Sequence, residues 1–228
     1  MSKISLYEFG DSEEAVRRIQ SRFVEFFRNT GSVLDIGCGR GIFLELLLAA
    51  GIRVSGIDRS EEAVAFCRAK GLDVHQEDAG AFLARNPTQF GGIFCSHVIE
   101  HMAYDEAMSF LELCHTALLP DGTLLLLTPN PEDLTIISEI FWLDPTHVRP
   151  YPSRLLQTML KASGFQVTLV KQFLPSWRSI GRRNIPAYLI RRMLLGRHYG
   201  RTNTLVLAKK GNCRNQPSTE GSVCPSQP

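Results

Sequence analysis

The amino-acid sequence predicts an α/β fold, a doubly wound and mostly parallel sheet of seven strands. Three observations predict it. The apolar run 32–36 breaks into Gly37-Cys38-Gly39-Arg40-Gly41 and passes directly into the helical pattern 42–50, giving a strand, a glycine turn and a helix. Strand-like and helix-like segments then alternate as far as Phe165. Residues 122–128 are almost continuously apolar, as a strand covered on both faces must be.

Taken in order, Asp11 or Ser12 can cap a helix that continues to about Arg28. That helix places Val16, Ile19, Phe23, Phe26 and Phe27 on one face, suited to packing on the sheet. Residues 53–57 form the second strand and end at Asp58. Helix 60–70 follows, capped by Ser60 and closed by Gly71, and a short third strand spans 74–76. The fourth strand, 92–96, delivers His97-Val98-Ile99-Glu100-His101 to the rim of the sheet. An amphipathic helix over 104–118 ends before Pro120-Asp121-Gly122. Thr128-Pro129-Asn130-Pro131 leaves the fifth strand, and its prolines stop sheet and helix alike. A loop crowded with polar, aromatic and proline residues, 141–151, precedes helix 152–163, a strand from Phe165 and a last strand at 204–208. Residues 172–201 form a basic insertion before that last strand, and the tail 211–228 has the Asn, Gln, Pro, Ser and Gly content of a disordered segment. The 228 residues suit one α/β domain, 1–210, with its cap helix inside 1–30.

The net charge of +2 conceals a division. Residues 1–144 hold 22 Asp/Glu against 11 Lys/Arg, whereas residues 145–228 hold 14 Lys/Arg against a single acid, Glu220. A one-sided basic third predicts an anionic partner. The six cysteines lack metal or redox spacing. Cys38, Cys67, Cys95 and Cys114 fall in expected core elements, and Cys213 and Cys224 in the tail, which predicts reduced thiols in a cytoplasmic protein. No apolar run approaches membrane-spanning length and no secretory h-region opens the chain, so integral membrane and disulfide-framework classes are not expected.

Open α/β sheets bind ligands outside the carboxyl ends of their strands. The glycine turn, Asp58, Asp78, the His97 segment and the loop after residue 128 all belong to that edge. Glycines let the backbone turn sharply and let a ligand approach it. Their spacing is G-x-G-x-G, with Ile42 where a dinucleotide fingerprint has its last glycine. Asp35 ends the first strand beside the turn, where a buried carboxylate repels a pyrophosphate but suits a ligand carrying an ammonium and a sulfonium. Asp58, about twenty residues past the glycines, is placed to accept both hydroxyls of a ribose, the alternative being a cap on the next helix.

Through Asp35-x-Gly37-x-Gly39-x-Gly41, and through later motifs in order up to Phe165, the chain resembles the class I S-adenosylmethionine-dependent methyltransferases. The resemblance implies their Rossmann-like fold and S-adenosyl-L-methionine as cofactor. It makes Asp35, Gly37, Gly39 and Gly41 the first cofactor motif, with His97 at the rim of the same cleft. It implies that Asp78 contacts the adenine amino group and the Ala79 backbone the ring edge, with Glu77 adjacent as an alternative. Ubiquinone-biosynthesis, polyketide, sugar and glycan methyltransferases that resemble this chain carry an Asp…His…Tyr loop matching Asp144, His147 and Tyr151, and it closes over the acceptor.

Methyl transfer from a sulfonium is a direct displacement, so the protein's task is alignment and exclusion of water. A hydroxyl acceptor must also lose a proton. His147 is the first candidate base, with Asp144 to orient it, and His101 and His97 follow. A second reading is a divalent metal held by His97, Glu100 and His101, on one face at i, i+3 and i+4, with His147 reaching in from its loop. Metal-dependent ubiquinone O-methyltransferases and small-RNA terminal 2′-O-methyltransferases resemble this chain at Glu100-His101, but have a glutamate where it has His97. In a third reading the histidines only shape the pocket. Residues 185–199 set Ile185, Tyr188, Leu189, Met193 and Leu194 among Arg191, Arg192 and Arg197, a pattern that suits a helix at a membrane surface or a lid over the acceptor. The function expected is O-methylation of a small-molecule, isoprenoid or glycan acceptor that is anionic or lipid-linked, with peripheral membrane contact through 185–199. The alternatives are a metal-dependent RNA 2′-O-methyltransferase, which no aromatic-rich nucleic-acid motif supports, and a cofactor-binding module without catalysis.

Overall fold

Val33–Ile36 (β1), Val54–Asp58 (β2), Val74–Gln76 (β3), Phe90–Ser96 (β4), Leu118–Pro129 (β5), Phe165–Phe173 (β6) and Asn203–Lys210 (β7) join in one sheet, in the order β3-β2-β1-β4-β5-β7-β6. The structure is a computed structural model that describes residues 12–173 and 185–211. Asp11, the tail from 212 and the side chain of Arg197 lie outside the described residues, so the expectations for them stand untouched. The five strands from β3 to β5 are parallel, and β7 runs antiparallel between β5 and β6. Because β7 is reversed, its first residue, Asn203, pairs with Pro129 at the end of β5. The segment entering β7 therefore meets the carboxyl edge of the parallel strands.

The period of two in the central strands decides what each face covers. Leu34, Ile36, Ile93, Cys95, Leu124 and Leu126 pack on Phe110, Leu111 and Cys114 of Tyr104–Ala117 (α5), together with Leu156 and Leu160 of helix Ser153–Ala162. Val33, Phe94, Leu125 and Leu127 face the other way, onto Phe23, Phe27, and Phe43 and Leu47 of helix Ile42–Ala49. Both faces are covered, which is why β5 reads as an apolar run rather than an alternation. Cys38, Cys67, Cys95 and Cys114 are free and buried in this core.

Several boundaries differ from the sequence pattern. The N-terminal helix is α-helical only over Glu13–Gln20 (α1), with Ser12 accepting from the Ala15 N–H at 3.3 Å, and continues as a 3-10 helix over Ser21–Phe27. Val24 and Phe27, three residues apart and both buried, eclipse one another in 3-10 winding, so tighter winding puts both into the core. Helix α5 stops at Ala117 because Leu118 pairs with Phe90, which also starts β4 two residues earlier than residue 92. Pro129 stays within the sheet, as a terminal pair where its missing N–H breaks no ladder. The remaining helices are Ile42–Ala49 (α2), Glu61–Ala69 (α3), Ala79–Arg85 (α4), Leu134–Ser138 (α6), Ser153–Ala162 (α7) and Ile185–Leu195 (α8), of which α4 and α6 were unforeseen. Among the described residues no helix is long and apolar enough to cross a membrane.

Candidate functional site

Gly37, Gly39 and Gly41 have φ of +68°, +51° and +73°, a left-handed backbone that disfavours side chains. A Cβ on Gly37 would lie 2.5 Å from Val98 Cγ2, and one on Gly41 2.5 Å from Leu72 Cδ1. Gly39 instead faces open space, the side from which a ligand can approach. The turn is held from behind. The Gly37 and Cys38 N–H groups donate to the Ile57 carbonyl at 2.9 and 3.1 Å, and the Gly39 N–H donates to Asp58 Oδ2 at 2.9 Å. Asp58 Oδ1 accepts from the Ser60 N–H at 2.8 Å, and Ser60 itself caps α3. Asp35 is buried beneath the turn, and burial first, then the charge of Asp58, raise its carboxyl to about 8. A cation beside Asp35 would restore its ionised form.

Asp78 reaches the same edge with its carboxylate engaged. Oδ1 caps α4 by accepting from the Ala81 N–H at 3.0 Å, and Oδ2 receives the Arg59 guanidinium. The Ala81 hydrogen bond and then Arg59 hold the acid below its ordinary range, against some burial. Ala79 is the buried first residue of α4, and Glu77 is ion-paired with Arg85.

Farther along the same edge, β4 ends at Ser96 and His97 turns the chain at φ +56°, unusual for any residue but glycine. The turn drops Ile99–His101 into a 3-10 helix with Glu100 fully buried. Glu100 Oε1 lies 3.0 Å from Nδ1 of the half-exposed His97, and Oε2 accepts from the Thr128 hydroxyl at 3.0 Å. Burial alone would raise this acid, but the His97 hydrogen bond and charge bring it below the ordinary glutamate range. The Glu100 carbonyl accepts from the Val148 and Arg149 N–H groups at 2.9 and 3.1 Å, pinning loop 141–151 to the rim.

Two histidines meet beneath that loop. His147 Nδ1 lies 2.6 Å from the Phe141 carbonyl, and His101 Nδ1 lies 2.9 Å from the Thr146 hydroxyl and 3.2 Å from its carbonyl. Carbonyls only accept, and the Thr146 hydroxyl is already donating to Asp144 Oδ1 at 2.6 Å, so both Nδ1 atoms carry the proton. In the neutral rings Nε2 is then the nitrogen with the lone pair. The rings stand 4.8 Å apart, and ligand atoms of Glu100, His101 and His147 lie within 4.8 Å of one another. His97 is not part of that cluster, so three of the four residues expected to hold a metal come together. Asp144 orients His147 less directly than expected. It lies 3.8 Å from His147 Nε2, beyond hydrogen-bond reach, and instead takes the Thr146 hydroxyl and N–H. Burial raises its carboxyl, but these Thr146 hydrogen bonds outweigh that and lower it. Tyr151 is wholly buried and donates to the Met102 carbonyl at 2.9 Å, so it braces the loop.

Thr128, Thr146 and the Phe141 carbonyl were missed in the sequence. Thr128 had one signal, a hydroxyl closing an otherwise apolar strand; the Phe141 carbonyl had none, since any residue carries one.

A sequence model of the methyltransferase domain matches residues 9–170, from ahead of α1 into β6, and takes in every candidate above. The chain belongs to the methyltransferase-domain family. This methyltransferase is similar to the ubiquinone biosynthesis O-methyltransferase of Aromatoleum aromaticum, with 34% identity over 113 residues, 45% of this chain and 47% of that protein. The protein of the same name from Pseudomonas aeruginosa is 35% identical over 104 residues, 43% and 44% of the two chains. The matches thus span about half the length of these curated relatives. Among solved structures, a SAM-dependent methyltransferase from Archaeoglobus fulgidus superposes with a TM-score of 0.77 at 28% identity, covering 90% of this chain and 97% of that one. The 1,6-didemethyltoxoflavin-N1-methyltransferase of Burkholderia thailandensis, solved with S-adenosylhomocysteine, shares the fold at a TM-score of 0.62 and 18% identity, over 87% and 80%. The chain carries a methyltransferase domain, and its residues fit S-adenosylmethionine: Gly39 leaves the turn open to approach, and Asp35 is a buried acid that a cation would ionise.

Proposed function

We propose that this methyltransferase acts on oxygen, methylating a hydroxyl of a small-molecule, isoprenoid or glycan acceptor. The observation that carries the reading is His147: its Nδ1–H is fixed on the Phe141 carbonyl, which leaves the Nε2 lone pair to take a proton beside Glu100 and His101. The names of the ubiquinone biosynthesis O-methyltransferases support an oxygen acceptor. S-adenosylmethionine supplies an electrophilic methyl group on a sulfonium. Asp35 balances the cofactor's positive charge, Asp58 accepts from its ribose hydroxyls, and Asp78 and the Ala79 backbone border its adenine. His97, at the rim, flanks the cleft between the two sides. His147 Nε2 would accept the acceptor's proton as its oxygen takes the methyl group and S-adenosylhomocysteine leaves as a neutral thioether, and the loop pinned on Glu100 would keep water out. The measurement that tests this is product analysis with labelled cofactor over phenolic, isoprenoid and glycan acceptors. Methyl on oxygen supports the reading, and methyl found only on nitrogen or carbon overturns it.

A second reading follows from the Glu100, His101 and His147 cluster. One buried carboxylate and two imidazoles with Nε2 lone pairs are a donor set that suits a divalent ion such as zinc, manganese or magnesium at the acceptor oxygen. Bound there, the ion would lower the pKa of the hydroxyl and replace His147 as the means of deprotonation. Loss of activity in chelator, restored by one divalent ion, selects this reading over the metal-free base.

A further inference from the structure

Helix α8 turns its apolar side to water. Pro186, Leu189, Ile190, Met193 and Leu194 recur at i, i+3, i+4, i+7 and i+8, the spacing that lines side chains on one stripe. In a helix that merely covers a fold this stripe is buried, yet here Leu189 is 49%, Ile190 56%, Met193 78% and Leu194 73% exposed. The opposite side does the packing. Tyr188 is buried with its ring 5.4 Å from that of Tyr199, and it sits on Gly200, where a Cβ would come within 2.4 Å of its hydroxyl. Arg192 folds back to donate to the Gly196 carbonyl at 2.8 Å and to the Tyr199 carbonyl. Arg191 is exposed and donates to the Tyr199 hydroxyl at 3.5 Å.

The helix is anchored at the edge that carries the site. Past its end, the His198 ring lies 3.1 Å from the Glu132 carbonyl, the Arg201 N–H donates to Asp133 Oδ2 at 2.8 Å, and the Asn130 side chain donates to the Arg201 carbonyl at 2.7 Å. All three partners belong to the loop leaving β5, the strand that carries Thr128, the donor to Glu100, near its end. Large apolar side chains of the acceptor loop, Trp142 and Val148, are also more than half exposed. The charge of this part of the chain has one sign: no Asp or Glu occurs between Asp144 and Glu220, while Arg178, Arg182 and Arg183 precede the helix in sequence and Arg191 and Arg192 lie within it.

We propose that α8 docks on an anionic lipid bilayer, its apolar stripe in the boundary between headgroups and acyl chains and its exposed Arg191 among the phosphates, so that the acceptor side faces a membrane-held acceptor. A bilayer fits better than a protein partner on size. An 11-residue helix is about 16 Å long, too short a stripe to bury the roughly 800 Å² per side of a stable protein interface, whereas immersion in a bilayer asks only for the stripe and the flanking cations. The identity of the acceptor rests on the O-methylation reading, but the docking does not.

Co-sedimentation of the full chain with vesicles tests the docking without any acceptor. Phosphatidylglycerol-containing vesicles should carry the protein down at low salt, pure phosphatidylcholine vesicles should not, and high salt should release it. The double variant Met193→Asp/Leu194→Asp should lower the bound fraction about tenfold, and Arg191→Glu should lower it at least about fivefold. Both variants should leave S-adenosylhomocysteine binding unchanged, because these side chains lie on α8, and the double variant should also leave the melting temperature unchanged, because Met193 and Leu194 are exposed. Absence of sedimentation at low salt overturns the proposal, as does equal binding to neutral vesicles or undiminished binding of the double variant. A dimer in solution that Met193→Asp/Leu194→Asp dissociates also overturns it, in favour of a protein interface. Oxygen-methylated product without vesicle binding would leave the catalytic reading intact, and vesicle binding with nitrogen-methylated product would leave the docking intact.

Discussion

On the proposed cofactor side, the Gly39 N–H and its Asp58 partner are 19 residues apart within one β-α-β unit, and the site is built from a glycine turn and strand-end carboxylates. On the acceptor side, His101 meets Thr146 across 45 residues, and Glu100 meets Thr128 across 28, through side chains on loops and short 3-10 turns. The first side is made by backbone geometry that the sheet dictates, the second by side-chain contacts laid over it. The two should therefore fail separately. Losses in the acceptor cluster should lower turnover and spare cofactor affinity, and losses at the turn should do the reverse.

The largest expected effect is on turnover. His147→Ala removes the proposed proton acceptor and should lower kcat by about 10²–10⁴-fold while titration calorimetry finds S-adenosylmethionine affinity unchanged. A comparable loss of cofactor affinity would break the separation, because it would mean that the acceptor loop helps to form the cofactor cleft. An unchanged kcat would remove His147 from the chemistry under both readings of the site.

The same division explains what was legible in the sequence. Gly37, Gly39, Gly41, Asp35 and Asp58 were readable because a strand, a tight turn and a following strand constrain residue types at fixed short spacing. The seven strands were readable for the same local reason, and their ends moved, most of all where Leu118 met Phe90. The residue types of the acceptor cluster were readable too, but not their wiring. Nothing in the sequence says that Asp144 serves Thr146 more closely than His147, or that a carbonyl 6 residues away fixes the His147 tautomer. Those facts depend on how a loop lies on a rim delivered by a distant strand. The outward stripe of α8 was ambiguous on similar grounds, since an amphipathic pattern gives the stripe but not which side meets the fold.

The next effect in size tests the other half. Asp58→Ala removes a charged acceptor and leaves the Gly39 N–H without its partner, so cofactor affinity should weaken by about 1–3 kcal/mol. At saturating cofactor, kcat should stay near that of the parent. Isothermal titration and initial rates on the same preparation compare the two quantities directly, and a kcat loss exceeding the affinity loss would count against a purely cofactor role.

A smaller effect comes from Asp35. In the free protein its carboxyl is raised to about 8, mainly by burial, so it is protonated near neutral pH. The cofactor's cation favours the ionised form, so binding expels a proton and weakens as pH falls. Between about pH 6 and pH 7, where the cofactor's own ammonium remains charged, affinity should rise about tenfold. Asp35→Asn should flatten that dependence. Calorimetry at pH 7 in two buffers of different ionisation heat should register close to one proton released, and release of none would remove Asp35 as the cofactor's counter-charge.

The smallest expected effect concerns the wiring between the two histidines. The Thr146 hydroxyl donates to Asp144 Oδ1 and lies 2.9 Å from His101 Nδ1, so it couples the loop acid to the rim histidine. Thr146→Val keeps the shape and removes the hydroxyl, while the Thr146 N–H contact to Asp144 and the carbonyl beside His101 can persist. The site is partly exposed, so the stability cost should be about 0.5–1.5 kcal/mol and the fall in kcat less than about tenfold. The informative quantity is the coupling in a double-mutant cycle with His101→Ala. If the hydroxyl acts by holding His101, removing it after His101 is gone should cost less than removing it alone. Strict additivity would mean that Thr146 steadies the loop through Asp144 only, and that His101 keeps its orientation through the carbonyl of the same residue.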